Sequence, residues 1–137
     1  MKIVFFGNPN FASSVLDYLN KLQDIKIMLV VTNPDKKMGR GLLFNSTRVK
    51  KTALEYNNKI YEVDRLDDQN FIKELKSLKA DMFVVVAYKY LPKNIFKIPK
   101  YGSINLHASL LPYYRGASPI QYALMNGEDY TGLTTFI

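Results

Sequence analysis

The stretch DMFVVVA, residues 81 to 87, constrains this chain more than any other. Six of its seven residues are apolar, and most are β-branched or aromatic. It is too short for a buried helix and has no polar alternation, so no face of it is meant for water. A strand of that kind lies in the middle of a parallel sheet with both faces covered. Covering both faces requires helices between the strands, and the rest of the chain supplies them.

KIVFF, 2–6, reads as a second buried strand and is followed by the turn GNPN. Apolar residues at 11, 15, 16, 19 and 22 give a helical period from Phe11 to Leu22. IKIMLVVT, 25–32, and KIYEV, 59–63, read as strands. Val49, Ala53, Leu54 and Tyr56 suggest a helix between them, and Asp67 or Asp68 is placed to cap another through about Leu78. A turn containing LPKN leads to a strand GSINLH, 102–107. Ser118-Pro119 reads as the cap and first-turn pair of a helix ending near Gly127, and TGLTTFI opens a further strand. Residues 33–46 read as one long surface loop. Strands alternating with helices predict an α/β fold, Rossmann-like, with a mostly parallel sheet flanked by helices. The run TGLTTFI stops at Ile137 inside an apolar strand pattern, so residues 1–137 are expected to form a single domain incomplete at its C-terminus.

The chain contains no cysteine, which excludes disulfides, thiolate metal sites and cysteine nucleophiles and fits a reducing compartment. The N-terminus lacks the form of a signal peptide, and no stretch has the length of a membrane span. A soluble cytoplasmic protein is expected, without membrane or metal. The net charge of +7 is open to two readings: a solvated basic surface, or attraction to an anionic partner such as nucleic acid.

In an open α/β sheet, ligands bind beyond the carboxyl ends of the strands. Three stretches fall there. FFGNPNFA lets the backbone turn sharply at Gly7 and opens a helix near Pro9, though it is not a dinucleotide fingerprint. VTNPDKKMGRG sets Lys36, Lys37 and Arg40 among Pro34, Gly39 and Gly41. It reads as an ordinary basic loop or as a phosphate contact. The third, INLHASLLP, places Asn105 and His107, the only histidine, two residues apart on a strand, so their side chains share one side. An amide donor beside an imidazole suits acyl chemistry, holding a carbonyl oxygen as charge develops and assisting proton movement. A structural histidine is the competing reading.

Taken together, Asn105, His107, Ser109, Leu110, Leu111 and Pro112, then Arg115, Gly116, Ala117 and Pro119, resemble the core motif of the formyltransferases that use 10-formyltetrahydrofolate. FFGNPNFA and VTNPDKKMGRG are similar to the branch that formylates methionyl-tRNA, and the resemblance runs from Met1 to Ile137. It implies a formyl transfer in translation initiation, with initiator methionyl-tRNA and the folate donor as partners, no metal, and a monomer. It implies catalytic roles for Asn105 and His107 and a folate pocket of Ser109, Leu110, Leu111, Pro112 and Tyr88. It implies tRNA contacts by Lys36, Lys37 and Arg40. Ser109 is not expected to act as a nucleophile, because the attacking amine comes from the substrate. Lys89 stands after Tyr88 where the family has glycine, and the turn to Leu91-Pro92 is one residue shorter. The family's catalytic aspartate and its C-terminal tRNA-binding domain are expected beyond Ile137, so this chain alone is expected to be nearly inactive. Two alternatives share the motif: transfer to a sugar-nucleotide amine, or a non-catalytic folate-binding fragment.

Overall fold

The computed structural model describes residues 1–38 and 43–137. Eight strands and five helices follow in the order β1 (Lys2–Gly7), α1 (Asn10–Asn20), β2 (Lys26–Thr32), β3 (Lys36–Met38), β4 (Leu43–Asn45), α2 (Arg48–Glu55), β5 (Ile60–Glu62), α3 (Gln69–Ser77), β6 (Met82–Val86), α4 (Lys93–Phe96), β7 (Ser103–His107), α5 (Pro119–Met125) and β8 (Thr134–Phe136). Six strands form one sheet in the order β5-β2-β1-β6-β7-β8. All neighbours pair in parallel except β8, which runs antiparallel to β7 at the edge. The expected α/β architecture is therefore the one observed.

The central strands alternate between two cores. Val4, Phe6, Leu29, Val31, Phe83 and Val85 face α3 and α4, where Phe71, Ile72, Leu75 and Ile95 pack on them. Phe5, Val30 and Val86 face α1 and α2, meeting Ala12, Leu16, Val49 and Ala53. That division explains why β6 carries no polar face. Each fully buried aromatic or aliphatic side chain contributes roughly 1.5–3 kcal/mol, and Phe5, Phe6, Phe71 and Phe83 are all completely enclosed.

Strand order also reverses at the centre. From β1 the chain builds outward through β2 to β5, then returns to place β6 on the other side of β1. The loops leaving β1 and β6 consequently diverge to opposite sides and leave a crevice between them, the position at which doubly wound sheets bind ligands.

Two local expectations change and a third is resolved. Residues 33–46 are not loop throughout: β3 and β4 pair antiparallel, Lys36 opposite Asn45 and Met38 opposite Leu43. β3 begins on two lysines, and strands of three residues are too short for apolar alternation to announce them. The LPKN turn contains α4, one helical turn started by Pro92. The cap of α3 is Asp68, whose carboxylate accepts from the backbone N–H groups of Asn70 (2.7 Å) and Phe71 (3.0 Å), while Asp67 instead pairs with Arg65. Ser118 does precede Pro119 at the start of α5, but its side chain makes no capping bond. Among the described residues, no helix is long and apolar enough to cross a membrane.

Gly7 ends β1 with Ala12 of α1 and Val86 of β6 close on either side. A Cβ there would lie 2.7 Å from Ala12 Cβ, 2.9 Å from Phe5 Cε1 and 3.1 Å from the Val86 carbonyl oxygen. Gly7→Ala should therefore destabilise the fold by about 1–3 kcal/mol through overpacking. Urea unfolding would show this as a lower midpoint with an unchanged slope.

Candidate active site

β7 places its residues by register. Asn105 is opposite Val85 on β6 and Phe136 on β8, and His107 is opposite Thr134. Strand alternation then puts Ser103, Asn105 and His107 on the face that carries Val85, the side covered by α4. Ser103 closes the lower end of that row, its hydroxyl donating to the Phe96 carbonyl at 2.7 Å. Asn105 and His107 lie beyond it, about 7 Å apart along the strand at two residue rises, and both are half-buried.

Both open onto a cleft of about 1280 Å³ at the carboxyl ends of the central strands. Its walls come from Pro9 and Phe11 at the start of α1, from the turn Ala87–Leu91 after β6, and from Leu111 and the start of α5. This exceeds the roughly 300–1,000 Å³ usual for a single small ligand, so there is room for two reactants to meet. Among the described residues the Asn105 side-chain amide has no hydrogen-bond partner, and its donors are free to meet a ligand. His107 Nε2–H donates to the Tyr114 carbonyl at 2.9 Å.

The segment after β7 is tied down chiefly by one residue of β8. Thr134 Oγ1 donates to the Ser109 carbonyl (2.7 Å) and accepts from the Leu111 N–H (3.1 Å). Ser109 is fully buried, and its hydroxyl donates to the Tyr113 carbonyl at 2.7 Å. The Leu111–Pro112 peptide is cis.

Of the five residues expected to form a folate pocket, Tyr88 and Leu111 line the cleft, while Ser109, Leu110 and Pro112 do not. The reasons differ. Ser109 points into the turn and spends its hydroxyl there. Leu110 lies over Gly132, where it would obstruct any Cβ. Pro112 sits exposed at the outer bend. The Ser-Leu-Leu-Pro motif thus shapes the cleft mainly by folding the loop that borders it.

Tyr88 packs on Phe6 with ring centroids 5.6 Å apart, and its buried hydroxyl has no partner. Burial, helped by the nearby Asp64 carboxylate, pushes this phenol up to about 12, so it stays protonated and able to donate. Lys89 is a latch: its Nζ donates to the Asp64 carbonyl at 2.5 Å, joining the turn after β6 to the loop after β5. A sequence gives no sign of that contact, because the two residues are 25 positions apart.

The basic segment lies elsewhere. Lys36 is exposed at the start of β3 and borders a separate small cavity of about 170 Å³ beside Thr47. Arg40, with Gly39 and Gly41, lies outside the described residues, as does the Lys37 side chain. The base of the segment is held firmly. Asn8 Oδ1 accepts from the Thr32 hydroxyl (3.1 Å) and the Asn33 N–H (2.9 Å), and the Thr32 and Thr47 hydroxyls share a bond of 2.6 Å. Lys50 pairs with both Asp35 (2.8 Å) and Glu62 (2.9 Å). The hydrogen bond from Lys50 holds the Asp35 carboxyl below its ordinary value.

A family model described as formyl transferase matches residues 1–137. The methionyl-tRNA formyltransferase of Thermodesulfovibrio yellowstonii is 54% identical over 136 residues, covering 98% of this chain and 44% of that protein. That of Flavobacterium psychrophilum is 45% identical, covering 99% and 43%. The chain therefore spans less than half the length of these relatives. Among solved structures, phosphoribosylglycinamide formyltransferase from Anaplasma phagocytophilum superposes with a TM-score of 0.76 at 20% identity, covering 98% of this chain and 63% of its own. That from Bacillus halodurans gives 0.72 at 16%, covering 98% and 70%. At such identities the likeness is one of fold.

Because Ser109 serves the turn, Ser109→Ala should cost about 0.5–1.5 kcal/mol, the usual net value of one intramolecular hydrogen bond. A shift of the denaturation midpoint would measure it, and a fully stable variant would return Ser109 to the list of ligand contacts.

Proposed function

The chain belongs to the formyl transferase family, and from that premise we propose that it is the N-terminal catalytic domain of an enzyme that formylates methionyl-tRNA. The donor is 10-formyltetrahydrofolate and the acceptor is the α-amine of the esterified methionine. The observation that carries this reading is the placement of Asn105, whose amide has no partner among the described residues, beside His107 on one face of β7 at the cleft. The relatives at 45–54% identity are named for this reaction.

The residues suit the donor. Tyr88, Leu91, Leu111 and Phe96 give the cleft an apolar, partly aromatic lining for a flat ring system. When bound, the folate supplies an activated formyl group.

Asn105 then acts where charge appears. A formyl carbonyl is neutral until the amine attacks, and its oxygen becomes anionic only in the tetrahedral state. The Asn105 amide N–H is a donor whose bond strengthens as that charge develops, and His107 joins it as a donor once it has taken up a proton from the attacking amine. No acyl-enzyme is required, and Ser109, buried and bonded to Tyr113, is not placed to form one. The acceptor RNA meets the basic segment 36–40, where Lys36, Lys37 and Arg40 neutralise phosphates; the clamp of Asn8, Thr32 and Thr47 fixes the point from which that segment leaves the domain.

Two experiments test this. Asn105→Ala and His107→Ala, in enzyme that formylates methionyl-tRNA, should each lower kcat by roughly a hundred- to a thousandfold, the loss of about 2.7–4 kcal/mol expected for an oxyanion donor. The folate Kd should stay within a few-fold, and the double variant should lose less than the product, because both side chains serve one oxygen. A collapse of folate affinity with unchanged single-turnover chemistry would refute these roles. Separately, Arg40→Ala should raise KM for the tRNA alone and lower the slope of log affinity against log salt by about 1. Equal effects on both substrates would contradict an RNA contact.

A further inference from the structure

We infer that Tyr114 and Glu128 are positioning residues that fix the tautomer of His107, so that Nδ1, and not Nε2, is the nitrogen that works in the cleft. The inference rests on the functional reading above for its purpose, and on geometry alone for its content.

A neutral imidazole carries one proton. A backbone carbonyl can only accept, so the 2.9 Å contact between Nε2 and the Tyr114 oxygen requires that proton on Nε2. The lone pair is then left on Nδ1, for which no partner exists among the described residues. Which ring nitrogen of a histidine reacts is set by the bond its other nitrogen makes.

The carbonyl is held in place from the far side. Tyr114 is a non-glycine residue at φ 53°, in the left-handed region. Such a residue costs roughly 1–3 kcal/mol and persists only where its surroundings over-determine it. They do so here through its side chain. The Tyr114 hydroxyl donates to Glu128 Oε1 and accepts from Asn126 Nδ2 at 3.1 Å. Asn126 and Glu128 directly follow α5, and the Glu128 N–H is itself bonded to the Ala123 carbonyl at 3.0 Å. The end of α5 thus grips the tyrosine ring, the ring secures the turn, and the turn presents its carbonyl to His107. Thr134, opposite His107 on β8, takes no part, since its hydroxyl is committed to Ser109 and Leu111.

The consequence for formyl transfer is a defined proton path. As the amine nitrogen bonds to the formyl carbon, it sheds one proton to Nδ1. The imidazolium so formed keeps its Nε2–H on the Tyr114 carbonyl, and Nδ1–H returns the proton to the folate nitrogen as the bond from that nitrogen to carbon breaks.

His107 is the only histidine in the 137 residues, which makes the test direct. Long-range proton–nitrogen correlation on the ¹⁵N-histidine-labelled chain, without ligand and at a pH where the imidazole is neutral, should show one ring with a protonated Nε2 and a bare Nδ1. Tyr114→Phe keeps the ring and backbone but removes the bridge, and Glu128→Ala removes it from the other end. Both should move the two nitrogens toward a common, tautomer-averaged position. In formylation assays both should lower kcat on the order of tenfold, as loss of an orienting partner does, with KM for folate unchanged. A wild-type spectrum with Nδ1 protonated overturns the inference, and so does a single Nε2–H tautomer retained in both variants. If the wild-type enzyme transfers no formyl group to methionyl-tRNA, the functional reading falls while the spectra still decide the tautomer.

Discussion

Everything in this molecule depends on the parallel pairing of β1 with β6, two strands enclosed on both faces. Because Phe5 and Phe6 point to opposite sides and are both fully buried, neither core can form without the other. The same pairing fixes the site. Strand order turns around between β1 and β6, so the loops that leave them separate and open the cleft. Gly7, with Ala12, Phe5 and Val86 crowded about it, marks how closely helix and strands must approach for that to happen. The energy of the hydrophobic core and the position of the crevice are thus two results of one constraint.

The rim of the cleft is set by polar contacts in place of apolar ones. Buried hydroxyls and amides cost roughly 1–3 kcal/mol when left unpaired, and the chain uses that penalty to hold its loops. Asn8, Thr32 and Thr47 bind the exits of β1 and β2 to the start of α2. Thr134 and Ser109 bind the loop after β7 to β8. Lys89 joins the turn after β6 to Asp64. The Asn8–Thr32, Thr32–Thr47, Thr134–Ser109 and Lys89–Asp64 contacts join positions 15 or more residues apart, and each lies near the end of a strand. Against this background the groups that lack partners stand out. The Tyr88 hydroxyl is buried and unpaired, and the Asn105 amide lies in the cleft without a protein acceptor among the described residues. Asn33 Oδ1 and Asp35 Oδ1, beside the ends of β2 and β3, are likewise buried without a partner, so of these groups it is Asn105, half-buried in the cleft wall, that a ligand can reach.

Much of this was legible in the residues. The apolar runs at 2–6 and 81–87 gave buried parallel strands because a strand covered on both faces can carry no polar side. The helical periods gave the covering layers, and the two-residue spacing of Asn105 and His107 gave their common direction. What was missed has a shared cause. The strands β3 and β4, three residues each, are too short for periodicity to register. The packing of Leu110 over Gly132 and the bonds of Thr134 to the Ser109 carbonyl and the Leu111 N–H join positions more than 20 residues apart, and no local pattern reports such partners.

The sequence by itself determined the layers, the order of elements and the chemical types gathered at the end of β7, since these follow from side-chain period and from the groups available. Tertiary structure alone decided which of those groups face the cleft. Cross-strand register, the left-handed turn at Tyr114 and the long-range bonds of Thr134 and Lys89 assign each polar atom either to the protein or to a ligand. That division depends on distances between segments that only the closed sheet brings together.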